Sequence, residues 1–110
     1  MDPVTPRFLT VALYQFVDLP DCAALREPLQ TLCDDQGVRG MLLLAPEGIN
    51  GTIAGEPGAV HTVLAWLRSD ARFAAMQHKE APTAHMPFYR MRVRLKREIV
   101  TMGVPGTDPT

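Results

Sequence analysis

Val38-Arg39-Gly40-Met41-Leu42-Leu43-Leu44-Ala45-Pro46-Glu47-Gly48-Ile49-Asn50-Gly51-Thr52-Ile53-Ala54 is the stretch that decides the fold. Val38 to Ala45, with its apolar run Met41-Leu42-Leu43-Leu44, reads as a strand. Thr52-Ile53-Ala54 reads as a short second strand. The intervening Pro46 to Gly51 is rich in residues that accept turn geometry, so the whole reads as a β-hairpin. A helical pattern flanks it on each side.

Toward the N-terminus, Gly37 is a natural C-terminal helix cap. Leu25, Leu29, Leu32 and Cys33 recur at i, i+4, i+7 and i+8, one apolar stripe of an amphipathic helix. Pro28 lacks the N–H of the helical ladder, so the helix either kinks there or begins its regular part near it. Asp21 is the expected N-cap, and Phe8 to Phe16, apolar and β-branched, is a central strand. Toward the C-terminus, Pro57 suits the first turn of a second helix, whose stripe is Val60, Val63, Leu64 and Leu67 and whose end is Arg68-Ser69-Asp70. Phe73 to Lys79 is a possible short strand. From Tyr89 to Arg97, Met91, Val93 and Leu95 alternate with Arg90, Arg92, Arg94 and Lys96, which predicts a strand with one buried and one cationic face. The order is β-α-β-β-α-β with room for one extra strand. That is an α+β, ferredoxin-like plan: an antiparallel sheet with two helices on one face. Residues 1–102 form the expected domain, and the Gly- and Pro-rich 103–110 a tail or linker.

The chain has 110 residues, 46% hydrophobic and 21% charged, as expected of one soluble domain. Eleven basic against twelve acidic residues leave a net charge of −1, which argues against a dedicated nucleic-acid binder but allows a local basic patch. Cys22 and Cys33 fall on one helix about 16 Å apart along its axis, too far for a disulfide. Free thiols and the lack of a signal or membrane-spanning pattern predict a cytoplasmic protein.

The stripe Arg90, Arg92, Arg94, Lys96 and Arg97 is the most distinctive chemistry. Side chains two apart on a strand lie about 6.5–7 Å from each other, comparable to successive phosphates of a nucleic-acid strand. An RNA-binding edge and a charged edge that blocks strand pairing stand level at this point. Arg7, Arg39, His78 and Lys79 would extend the patch if the fold brought them near. Glu47, Gly48, Ile49 and Asn50 read on residue types as plain hairpin chemistry, with a loop facing a substrate or another domain as the functional alternative. Tyr14 and Phe16 share a face of the first strand. They could stack on bases if that face is open, but Thr52-Ile53-Ala54 supplies no aromatic partner, so burial under a loop or another domain is the expectation. Cys22 and Cys33 have no histidine nearby in sequence to form a nucleophilic pair. His61 and His78 are expected at the surface, and with His85 and the cysteines they show no zinc spacing; no metal and no cofactor are expected.

Leu44 to Thr52 and Arg92 to Val100, together with Phe16-Val17-Asp18-Leu19, resemble the N-terminal domain of bacterial rhodanese-related tRNA uridine hydroxylases. The resemblance runs nearly to Met102. It implies an acylphosphatase-like domain followed by a linker and a C-terminal rhodanese domain that holds the essential cysteine. It also implies oxygen-dependent hydroxylation of the wobble uridine of tRNA. On this reading the chain is an accessory module, inactive alone, whose partners are tRNA and its own rhodanese domain. A regulatory ligand-binding or dimerising domain is the alternative. A stand-alone acylphosphatase ranks last, because Val17-Asp18-Leu19-Pro20-Asp21 is acidic where a phosphate cradle would need cations and N–H donors.

Overall fold

Residues 7–97 are described by the computed structural model. The strands are β1 (Phe8–Phe16), β2 (Arg39–Ala45), β3 (Gly48–Gly55), β4 (Gln77–Thr83) and β5 (Met91–Leu95). The helices are α1 (Cys22–Gln36) and α2 (Pro57–Arg68), with a 3-10 turn at Ala71–Phe73. The sheet order is β4-β1-β3-β2-β5.

Alternation along β1 sorts the molecule into two layers. Leu9, Val11 and Leu13 are buried, whereas Ala12, Tyr14 and Phe16 are exposed. Leu13 lies opposite Gly51, and Gly51 opposite Leu42. Leu42 in turn lies opposite Val93, so all four share the helix-covered face. There they meet Leu29 and Cys33 of α1 and Val60, Val63, Leu64 and Leu67 of α2 in one core. Residues 103–110 and the expected domain boundary at 102 lie outside the described residues.

Four expectations are corrected in detail. First, the sheet is mixed, because β2 and β5 run parallel while the other pairs are antiparallel. Second, the last strand of the four-stranded ferredoxin plan is Gln77–Thr83, displaced from the expected Phe73 to Lys79. Phe73 instead closes the 3-10 turn and is buried in the core. The cationic strand is then the added fifth, at the opposite edge and shorter than expected; Arg90 and Arg97 flank it.

Third, α1 runs through Pro28 without a break in its assignment, and Pro28 is exposed. Its apolar stripe holds, with Leu29 and Cys33 buried and Gly37 closing the helix in the left-handed conformation. Asp21 occupies the N-cap position but makes no side-chain cap bond. Its carboxylate goes instead to Arg72, which also pairs with Asp70, and so ties the start of α1 to the turn after α2.

Fourth, the expected six-residue hairpin loop is a two-residue turn, Pro46-Glu47, and Gly48, Ile49, Asn50 and Gly51 belong to β3. The glycines serve strand packing. Gly48 and Gly51 have φ of +140° and +158°, and an added Cβ would fall 1.9 Å from the Gln15 carbonyl oxygen or 2.1 Å from that of Met41.

Candidate functional site

The two sheet faces differ in chemistry as much as in cover. On the face away from the helices, cross-strand register lines up Tyr14, Asn50, Leu43 and Arg94 in one row. A neighbouring row runs Lys79, Ala12, Thr52, Met41 and Arg92. Alternation places Arg39 on the same face. Among the described residues, none of the strand positions on this face is Asp or Glu. The acidic side chains lie on α1, on turns, or, as with Glu80, on the helix-covered side. A net charge near zero therefore conceals a cationic sheet face and a more acidic helical one.

Tyr14 and Phe16 are 49% and 54% exposed and form an edge-to-face pair with ring centroids 5.8 Å apart. The loop half of their expected burial is corrected: no loop within residues 7–97 covers them fully. Beside them Leu43 and Ala45 are buried and form a small apolar floor separate from the main core.

The sequence-predicted site residues divide. Arg92 and Arg94 project from β5 on the open face, with Lys96 just beyond the strand. All are exposed, and among the described residues none is ion-paired. A groove of about 550 Å³ follows the outer edge of β5, lined by Arg90, Arg92, Arg94 and Lys96 and, from α1, by Arg26 and Gln30. Three main-chain groups along this edge, at Met91 and Val93, are occupied. Gln30 accepts from the Val93 N–H at 2.9 Å and donates to the Met91 carbonyl at 3.0 Å. The Arg26 Nε donates to the Val93 carbonyl at 2.9 Å. One amide side chain thus imitates a neighbouring strand at Met91 and Val93 and blocks further pairing there. This contribution of α1 was missed from sequence, where Arg26 and Gln30 are ordinary polar residues of a helix.

Glu47, Gly48, Ile49 and Asn50 do not form a common loop surface. Ile49 is fully buried in the core, Gly48 is packed against β1, and Asn50 sits centrally on the open face. Glu47 remains in the turn. Of the residues suggested as extending the patch, Arg39 and Lys79 share the open face, and Arg7 lies 5.8 Å over the ring of Phe8. His78 is on the opposite side and only partly exposed, a correction to its expected surface position. It accepts from Arg68 at Nδ1 (2.7 Å) and meets Glu80 through Nε2 (2.9 Å). That contact holds the Glu80 carboxyl below its ordinary range. His61, exposed as expected, also reaches Glu80.

In the segment after β1, two main-chain donors that a phosphate cradle could use are already bonded. The Val17 and Leu19 N–H groups bond to the Glu47 and Pro46 carbonyls at 2.9 and 2.8 Å. Cys33 is fully buried, and burial pushes its thiol up to about 12, which suits packing and not nucleophilic chemistry. Among the described residues no group of three His, Cys, Asp or Glu could hold a metal ion, and no helix is long and apolar enough to cross a membrane.

Residues 8–99 match the family model described as UPF0176 acylphosphatase like domain. The chain belongs to this family. Among curated proteins it is 65% identical over 102 residues to the tRNA uridine(34) hydroxylase of Albidiferax ferrireducens, covering 93% of this chain and 32% of that protein. It is 58% identical to the one from Sinorhizobium medicae, covering 97% and 34%. The UPF0176 domain chain thus spans about a third of the length of these relatives. Solved structures share its fold at low identity. The BlrP1 BLUF structure aligns with a TM-score of 0.64 at 20% identity over 82% of this chain and 65% of that one. An acylphosphatase from Coxiella burnetii aligns at 0.51 and 12%, over 82% and 92%.

Proposed function

We propose that this UPF0176 domain is the RNA-contacting, non-catalytic part of a tRNA-modifying oxidoreductase. The whole protein would hydroxylate the wobble uridine with oxygen, through a reactive cysteine carried by a separate rhodanese domain, in the cytoplasm. The relatives' names and the one-third coverage support the assignment to a larger tRNA enzyme. One observation carries the contact role: Arg92, Arg94, Arg39 and Lys79 share a sheet face whose described strand positions hold no carboxylate. A cationic surface of this kind attracts phosphates and releases their counterions on binding. A solvated edge strand would need charge only on the two edges, β4 and β5, whereas Arg39 adds a cation to the same face from the interior strand β2.

The test is binding of an unmodified tRNA transcript by the 110-residue chain across a salt series. Arg92→Gln with Arg94→Gln is expected to weaken binding and to reduce the slope of log K against log salt by roughly 1.4–1.8. Both side chains are exposed, so the fold should be unaffected. Equal affinity and slope for the variant and the parent would remove the contact role.

A further inference from the structure

We infer that Tyr14, Phe16 and Asn50 form a platform on which unpaired RNA bases stack; this rests on the proposed RNA contact and specifies what that face recognises. A central strand normally buries its aromatics, yet here two are about half exposed on β1. Exposed large apolar groups gathered on one face mark a binding surface. Their surroundings select the partner. A purely apolar protein segment would gain nothing from the cations that flank the patch, Lys79 on β4 and Arg92 and Arg94 on β5, and desolvating those cations would oppose it. A nucleotide offers all three matching chemistries: a π-face for the Tyr14 and Phe16 rings, a phosphate for the arginines, and polar base edges.

Asn50 supplies the polar handle. It lies beside Tyr14 in the cross-strand row, is partly exposed, and among the described residues its amide has no hydrogen-bond partner. The amide presents both a donor and an acceptor, the complement of a base edge that shows one of each. Leu43, next in the row between Asn50 and Arg94, is buried. From Tyr14 to Arg94 the row crosses three strand spacings, about 14 Å. A strand can therefore lay its phosphates along the β5 edge and turn its bases inward over the sheet.

The experiment compares binding of a 12-nucleotide oligouridylate and an abasic strand of the same length, which keeps the phosphates and lacks the bases. The parent chain is expected to prefer the oligouridylate by about tenfold or more. Tyr14→Leu with Phe16→Leu keeps the patch apolar. It should lower oligouridylate affinity about tenfold while leaving abasic affinity and salt slope unchanged. Asn50→Ala should give a smaller loss confined to the oligouridylate. Arg92→Gln with Arg94→Gln should weaken both strands alike. If the leucine variant binds both strands as the parent does, the platform is overturned while the phosphate contact stands. If the parent binds neither strand nor tRNA, both readings fall together. Circular dichroism of each variant confirms folding, and Tyr14→Phe with Phe16 unchanged, which keeps both rings, should retain most of the parent's affinity for the oligouridylate.

Discussion

Replacing Gln30 with leucine tests the claim that a helix side chain holds the cationic strand in place. The substitution deletes an acceptor for the Val93 N–H (2.9 Å) and a donor to the Met91 carbonyl (3.0 Å). Each backbone group left without a partner costs about 1–3 kcal/mol if buried. Both bonds are only part-buried, so water recovers some of that, and a total of about 2 kcal/mol is reasonable. The Arg26 bond to the Val93 carbonyl and the five-pair register with β2 remain. The loss therefore falls on local opening of β5 and not on global unfolding. A 2 kcal/mol drop raises the open population about thirtyfold. Native-state amide hydrogen exchange reads this directly. The Val93 amide should exchange about thirtyfold faster, while Val11 and Ile53 in the centre of the sheet keep their rates. Gln30→Glu keeps the acceptor and loses the donor, so its effect at Val93 should be smaller. Unchanged protection at Val93 in the leucine variant would refute the role of Gln30 as a surrogate strand.

Three other outcomes follow from particular contacts. Arg72 holds the Asp70 carboxyl down to about 2 and lowers Asp21 as well, chiefly through side-chain hydrogen bonds. Because the folded-state values are depressed, this contribution is present above the ordinary carboxylate value of 3.8 and is lost as pH falls toward 2. In urea unfolding, Arg72→Met should therefore be less stable than the parent at neutral pH and differ little from it near pH 2. Iodoacetamide should leave Cys33 unmodified in the folded chain and reach it only after denaturation, as judged by peptide mass; its buried, proton-retaining thiol is the reason. Gly51→Ala would place a methyl group 2.1 Å from the Met41 carbonyl oxygen at a φ of +158°, so β2 and β3 must separate there. A loss of several kcal/mol, or no soluble folded protein, is expected in thermal unfolding.

Much was legible locally. Apolar periodicity located both helices, because burying a stripe every third or fourth residue is a local demand of the backbone, and a run of apolar and β-branched residues located β1. Gly37 and Pro57 punctuated the helices where their φ preferences allow. The basic alternation in Arg90 to Arg97 marked the cationic strand. The hairpin loop misled, since Gly48, Asn50 and Gly51 look like turn residues. Gly48 and Gly51 are glycines for a non-local reason: neighbouring strands pass too close for a Cβ, a fact visible only once β1, β2 and β3 are side by side. β4 was misplaced because an edge strand reading Gln77-His78-Lys79-Glu80-Ala81-Pro82-Thr83 has no strong apolar alternation to announce it.

Sequence alone determined the element types, the α+β class and which residues of each element are apolar, since these depend on interactions within a few residues of one another. Only the tertiary structure decided that Tyr14, Asn50, Arg39, Lys79, Arg92 and Arg94 share one face. That grouping depends on strand order and register between segments as far as 80 residues apart, from Tyr14 to Arg94. Shifting any strand by one residue would send its side chains to the other face, so the interface is a property of the assembled sheet.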